Sequence, residues 1–284
     1  MPTKKSYQTF ILAFIALVFF ALNSEQKPVK QNLNISDILD FNIDRTPDEI
    51  MQEVSTSAPS ITVDDLPSSF DRYVEDVYNA CNLKAQKLSY TAFKNGLVGM
   101  YNLMRTSKVH NEDILSIVDF DLPSTEKRMF VIDLKNKKLV KNLLVAHGKE
   151  SGDMYATSFS NIPKSHQSSL GFYKTAETYD GKYGYSLRLD GLEKSINCKA
   201  RERAIVVHGA KYVSDEFIQE NSRLGRSYGC LSLKVDETSD LIDDIKSGTC
   251  IYVHKSLPSY LKASKLLDAV SSQRFFDNLF AKTI

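Results

Sequence analysis

Hydrophobic spacing along the chain changes character twice. From Phe70 to Met104, apolar residues fall at Tyr73, Val74, Val77, Tyr78, Leu83, Ala85, Leu88, Phe93, Leu97, Met100, Tyr101 and Met104. Spacings of three and four predict two or three amphipathic helices over 70–107, with a break near Cys81-Asn82 and another at Gly96. After His110 the period shortens. Ile114–Phe120, Arg128–Leu134, Leu139–Ala146, Leu170–Thr178, Tyr185–Leu189, Ala204–His208 and Thr249–His254 read as strands separated by turn residues. Asn136-Lys137-Lys138 and Asp180-Gly181 read as hairpin connections. Asp236 to Lys246 reads as a helix with Leu241, Ile242 and Ile245 inward and Gly248 as its stop. The pattern predicts a mainly β domain over 108–256 with helical additions, an α-helical segment before it and a helical extension over 257–284.

The first residues follow a different pattern. Lys4 and Lys5 precede an uncharged apolar run from Phe10 to Leu22, after which Asn23-Ser24-Glu25-Gln26 turns polar. This layout predicts a secretory signal peptide over 1–24 with cleavage after Ser24, and hence a mature protein in the cell envelope. The run is shorter than the roughly 20 residues a spanning helix needs, so a retained N-terminal anchor is the lesser reading. Residues 25–69 carry Pro28, Pro47, Pro59 and Pro67 among polar residues and read as a loosely ordered linker.

Composition narrows the function classes. The 284 residues hold 36 Lys and Arg against 35 Asp and Glu, a net charge of +1. That balance argues against a nucleic-acid binder, which usually shows a strongly basic face. The four cysteines, Cys81, Cys198, Cys230 and Cys250, are too few for a disulfide scaffold and form no CxxC metal pair. A Cys198–Cys250 disulfide stays open in an oxidising compartment, although Cys250 also reads as buried strand packing. No metal or other cofactor is expected, and nothing in the sequence addresses the oligomeric state.

One stretch carries chemistry. Ala204-Ile205-Val206-Val207-His208-Gly209 runs an apolar strand into an imidazole, and Gly225-Arg226-Ser227-Tyr228-Gly229-Cys230 brackets a loop that delivers one cysteine. Cysteine attacks carbonyls as its thiolate, so an imidazole that accepts its proton is the partner the chemistry requires. A glycine just before the nucleophile permits a tight turn whose N–H groups can face an oxyanion. A lone Cys is more often a small buried hydrophobe and a lone His a satisfied structural residue, so spacing alone leaves the dyad as the minority reading.

The pair His208-Gly209 with Ser227-Tyr228-Gly229-Cys230 resembles the signature of YkuD-type L,D-transpeptidases, cysteine enzymes that cross-link peptidoglycan. Further blocks, Ser124 to Arg128, Val145 to Gly148 with Ser151-Gly152, Ala156 to Asn161, Gln167 to Tyr173 and Tyr185 to Glu193, resemble the divergent murein L,D-transpeptidase catalytic domain group. The resemblance covers roughly 110–256 and implies a YkuD-like β-sandwich and action on peptidoglycan stem peptides. It also implies Cys230 as nucleophile, His208 as general base, the Gly209 carbonyl as orienter of the imidazole, Gly229 and Cys230 as oxyanion donors, and Ser227 as a brace for the loop. Two positions depart from the usual signature: Tyr228 stands where a histidine is common, and Ser232 where an Arg or Asn is common. Arg226 or Arg188 is then expected to meet a substrate carboxylate. Tyr228, His147 and Tyr173 are the other expected substrate-facing residues, with a plain turn as the rival reading for His147. His110, His166 and His254 have no partner that the sequence suggests.

Overall fold

The computed structural model describes residues 68–281. The expected signal peptide over 1–24 and almost all of the expected linker lie outside the described residues. Within them, no helix is long and apolar enough to cross a membrane.

Two helices come first. α1 (Ser69–Ala80) is capped by the Ser68 hydroxyl, which accepts from the Asp71 N–H at 3.0 Å, and buries Phe70, Val74, Val77 and Tyr78 along one stripe. α2 (Tyr90–Arg105) is capped by Ser89 in the same way. Between them the chain turns at Cys81 to Lys87, at the predicted break. The second break predicted, at Gly96, does not occur. Glycine serves there to admit the sheet: a methyl at Gly96 would come within 3.0 Å of Ile117, and one at Gly99 would overlap the Phe172 ring.

Eight strands follow: β1 (Ile114–Asp119), β2 (Met129–Asp133), β3 (Lys138–Leu143), β4 (Gly171–Gly181), β5 (Gly184–Gly191), β6 (Val206–Gly209), β7 (Leu231–Leu233) and β8 (Cys250–His254). They form one sheet in the order β3-β2-β1-β8-β4-β5-β6-β7. The β2–β3 and β4–β5 pairs are antiparallel hairpins, the first at its expected turn and the second turning at Lys182-Tyr183, just past the expected Asp180-Gly181, which pair within the ladder; β1–β8 and β6–β7 are parallel. β3 and β7 end the strand order, yet Ala146, just beyond β3, bridges Ser232 of β7 with its N–H 2.9 Å from the Ser232 carbonyl. The sheet therefore curls until its ends meet, in a barrel-like arrangement that removes an exposed edge at this point.

β7 and α3 (Asp215–Asn221) were not legible in the sequence. Three residues are too few for a period, and α3 buries none of its side chains. α4 (Val235–Ile245) packs on β5 and β6 through Leu241, Ile242 and Ile245. α5 (Pro258–Ala263) and α6 (Ala269–Ala281) close the described chain. α6 lies against α1 and α2, where Phe276 meets the rings of Phe70, Tyr73 and Tyr101 at 5.3, 5.0 and 5.3 Å. The mainly β architecture with a helical preface agrees with the sequence reading. Cys198 and Cys250 are both free thiols, Cys198 exposed and Cys250 buried in β8, so the possible disulfide is not formed.

Candidate active site

β6 and β7 build the site. Every residue of β6 is buried, so the apolar run Val206-Val207 fixes the strand and leaves His208 near its carboxyl end. The register pairs Val207 with Leu231, His208 with Ser232 and Gly209 with Leu233. Cys230, one residue ahead of Leu231, therefore sits at the mouth of the same strand pair as His208.

The loop that carries Cys230 is held from several sides. Ser227 is buried, its N–H donates to the His147 carbonyl at 2.9 Å, and its own carbonyl accepts from Lys149 N–H at 2.7 Å. The Ser227 hydroxyl donates to the Cys230 carbonyl at 2.8 Å and accepts from the Gly229 N–H at 3.0 Å. Gly229 has φ +116°, and a side chain there would press on the Gln167 carbonyl at 2.8 Å, so glycine is required on both grounds. The expected oxyanion role of the Gly229 N–H meets a competitor, because that donor is already spent on Ser227.

Cys230 is half-buried, with its thiol 3.5 Å from the Ala204 carbonyl. Burial pushes the thiol up, while the Val206 N–H and the Arg203 guanidinium pull it back toward the thiolate. Arg203 is also a clamp: its nitrogens donate to the carbonyls of Ser160 and Gln167 and to the hydroxyls of Ser165 and Ser169, binding the 160–169 segment beside Cys230.

His208 is 3% exposed. Nδ1 lies 2.9 Å from the Gly209 carbonyl, and Nε2 lies 2.9 Å from the Ser232 hydroxyl. A carbonyl only accepts, so Nδ1 carries the proton and Nε2 presents the lone pair. Burial lowers the His208 pKa, opposed by the Gly209 carbonyl, and favours the neutral base. The Tyr183 ring, from the β4–β5 turn, stacks on the imidazole at 4.4 Å. The structure brings the Cys230 and His208 backbones onto paired strands, but each side chain makes its hydrogen bond to a different group.

The other expected residues divide. Tyr228 is 67% exposed beside Cys230 and stacks on His166 at 4.2 Å, which gives His166 a partner the sequence did not suggest. Arg226 donates to the Gly152 carbonyl at 3.1 Å and pairs with Asp153 at 3.2 Å. Arg188 pairs with Glu177 at 3.2 Å and lies over the Tyr179 ring at 4.4 Å. Both guanidiniums are thus engaged by the protein's own groups. Tyr173 is 2% exposed, with its hydroxyl donating to the Ser169 carbonyl at 3.0 Å, and does not face solvent. His147 is buried as well: Nδ1 accepts from Arg128 Nη2 at 2.8 Å, and Nε2 faces the Gly152 carbonyl. Burial first, and the Arg128 charge second, push its pKa down to about 4, so it is a neutral strut behind the Ser227 loop.

Tyr212, Tyr183 and Arg203 were missed, and nothing local marked them; Ser232 was marked only as a departure from the usual signature, with no contact assigned to it. Asp119, Asp121 and His254 bring ligand-type atoms within 4.8 Å of one another. Protein donors already serve these carboxylates: Asp121 accepts from Lys255 and the Ser256 N–H, and Asp119 accepts from the Asp121 N–H.

A family model described as the L,D-transpeptidase catalytic domain matches residues 84–254, more than half of the chain. Comparison with curated proteins finds no significant match. Solved structures give distant matches. An L,D-transpeptidase from Mycobacterium smegmatis is 13% identical with a TM-score of 0.31, over 50% of this chain and 59% of that one. L,D-transpeptidase 3 from Mycobacterium tuberculosis is 9% identical with a TM-score of 0.31, over 50% and 61%. The helical cell shape determining protein Pgp2 from Campylobacter jejuni, as a variant, is 15% identical with a TM-score of 0.34, over 62% and 63%. The chain thus spans about three fifths of the length of these structures. With the family match running from the turn before α2 through the Cys230 loop to the end of β8, the chain belongs to the L,D-transpeptidase catalytic domain family.

Proposed function

We propose that this protein is a cysteine acyltransferase of the cell envelope that acts on peptidoglycan stem peptides. The observation that supports the reading is the pairing of β6 with β7, in which the braced, glycine-preceded Cys230 lies directly before the strand that pairs with the one carrying His208. In the reaction, the Ser232 O–H turns away from His208 Nε2, that nitrogen takes the Cys230 S–H proton, and the sulfur attacks the amide carbonyl between the L-centre of a diamino acid and a terminal D-amino acid. The oxyanion is met by the Cys230 N–H, since the Gly229 N–H is held by Ser227. His208 then protonates the departing D-amino acid and leaves a thioester on Cys230. An amine from a second stem takes the acyl group to form a cross-link; water in its place makes the site an L,D-carboxypeptidase.

One observation favours a rival reading, a non-catalytic wall-binding protein. The Cys230 thiol is held toward its protonated form by burial, and its hydrogen bond goes to Ala204 rather than to the base. Purified protein incubated with disaccharide-tetrapeptide, with products resolved by mass, separates the readings. The proposal expects a cross-linked dimer; tripeptide alone assigns a carboxypeptidase. Both products must vanish in Cys230→Ala, and full activity in that variant overturns the acyltransferase reading. No product together with intact binding to sacculi favours the wall-binding protein.

A further inference from the structure

The segment that leads into β6 lies against Cys230. Ala204 has φ +52°, a left-handed backbone uncommon for a residue with a side chain, and the N–H groups of Ala204 and Ile205 bond back to the carbonyls of Arg201 and Ala200 at 3.1 and 2.9 Å. At this tight reversal the Ala204 carbonyl meets the Cys230 thiol at 3.5 Å. Arg203, the residue before it, reaches the same loop: its Nη2 lies 3.1 Å from the point where a Gly229 side chain would begin. The guanidinium therefore fills the space beside the glycine that precedes Cys230.

The charge of Arg203 is not neutralised. Arg188, Arg201, Arg223 and Arg226 each pair with a carboxylate. Arg203 donates instead to the carbonyls of Ser160 and Gln167 and the hydroxyls of Ser165 and Ser169, and among the described residues it pairs with no carboxylate. A part-buried cation held only by neutral oxygens keeps its field, because water and salt screen it less than at an exposed site.

We propose that Arg203 is the counter-charge of the Cys230 thiolate: neutral oxygens lock the guanidinium in place, and its unpaired positive charge serves the sulfur that must carry negative charge in the attack. The proposal rests on the reading of Cys230 as the nucleophile. The thiol needs such a charge. Burial and the S–H bond to Ala204 both favour the neutral form, and the Ala204 carbonyl offers an anion no hydrogen. The Arg203 charge and the Val206 N–H act in the opposite direction. The titratable groups around the pair are His208 from β6, Tyr212 from the segment after β6, Tyr173 from β4, and Tyr228 and His166 stacked on each other. None of these is a carboxylate, so no anion among them competes for the guanidinium, and while both histidines are neutral no other cation among them replaces it.

The test is the pH dependence of Cys230 alkylation by iodoacetamide in the full chain carrying Cys198→Ala, which removes the exposed competing thiol, with the Cys230 peptide read by mass. Arg203→Gln keeps amide donors and removes the charge, whereas Arg203→Lys keeps the charge and loses the planar fork. The midpoint of rate against pH should rise by about one pH unit in Arg203→Gln, and Arg203→Lys should stay near the parent. A purely structural clamp expects the two variants to move together, since both lose the fork. Turnover of disaccharide-tetrapeptide should fall about tenfold in kcat/KM in Arg203→Gln below the midpoint, with the acid limb moved to higher pH. A folded Arg203→Gln protein with the parent midpoint overturns the proposal, and so does an equal rise in both variants. If Arg203→Gln does not fold, Arg203→Lys decides, and a raised midpoint there overturns it. Alkylation needs no turnover, so failure of the acyltransferase reading is separately visible as full activity in Cys230→Ala.

Discussion

At the scale of single residues, the site is shaped by which donors and acceptors are already taken. Arg128 is fully buried, donates twice to the Val145 carbonyl and reaches His147 through Nη2. His147 can accept that bond only while neutral, and this gives a pH signature. The unfolded chain protonates the imidazole near 6.5, and the folded chain only near 4. Between those values the unfolded state holds more protons, so this contribution is complete above about 6.5 and is lost as pH falls toward 4. We expect His147→Asn, whose Oδ1 still accepts from Arg128, to remove that part of the acid sensitivity, about 3 kcal/mol at most across the window. Urea unfolding of both proteins at several pH values checks it; parallel stability curves would contradict it. The buried carboxyl of Glu193 is pushed up and acts in the opposite direction, so the difference between the two proteins is the informative quantity. The strand end at His208 and the tight turn at Gly229 were legible in the sequence because both are tied to local pattern. The clamp made by Arg203 and the stacking of Tyr183 on the imidazole were not, because each reaches across the fold from a distant segment.

At the scale of elements, periodicity found the long members and missed the short ones. The helix–sheet interface shows where local propensity misleads. Gly96 suggested a break in α2, yet the helix continues because its glycines face β1 and β4 and tertiary contact outweighs their helix cost. Gly99 is the sharper case, since an added methyl would lie 1.9 Å from Phe172 Cζ and the ring is fully buried. Gly99→Ala should therefore destabilise the protein by about 1–3 kcal/mol, despite the better helix propensity of alanine. Denaturant unfolding measures this, and a gain in stability would show that the Phe172 ring has room to retreat.

At the scale of the whole molecule, the described sheet joins the Cys230 loop to distant sequence. The Ala146–Ser232 bridge and the Ser227 bonds to His147 and Lys149 tie the β3 end of the strand order to the strand that carries the site. Closing the sheet thus braces the Cys230 loop. Among the expected substrate-facing residues, Tyr228 is the one that stands exposed beside the Cys230 loop. The expected guanidinium contacts fit less well, because Arg226 and Arg188 already pair with Asp153 and Glu177.

The central claim is that Cys230 carries the acyl group. Wild-type protein mixed with a tetrapeptide stem, quenched in acid and digested, should show the tripeptide acyl mass on the Cys230 peptide and none on the exposed Cys198. The same adduct should be absent from Cys230→Ala and slow to appear in His208→Ala. Product formation with an unmodified Cys230 at every quench time, and at the same rate in Cys230→Ala, would contradict the account.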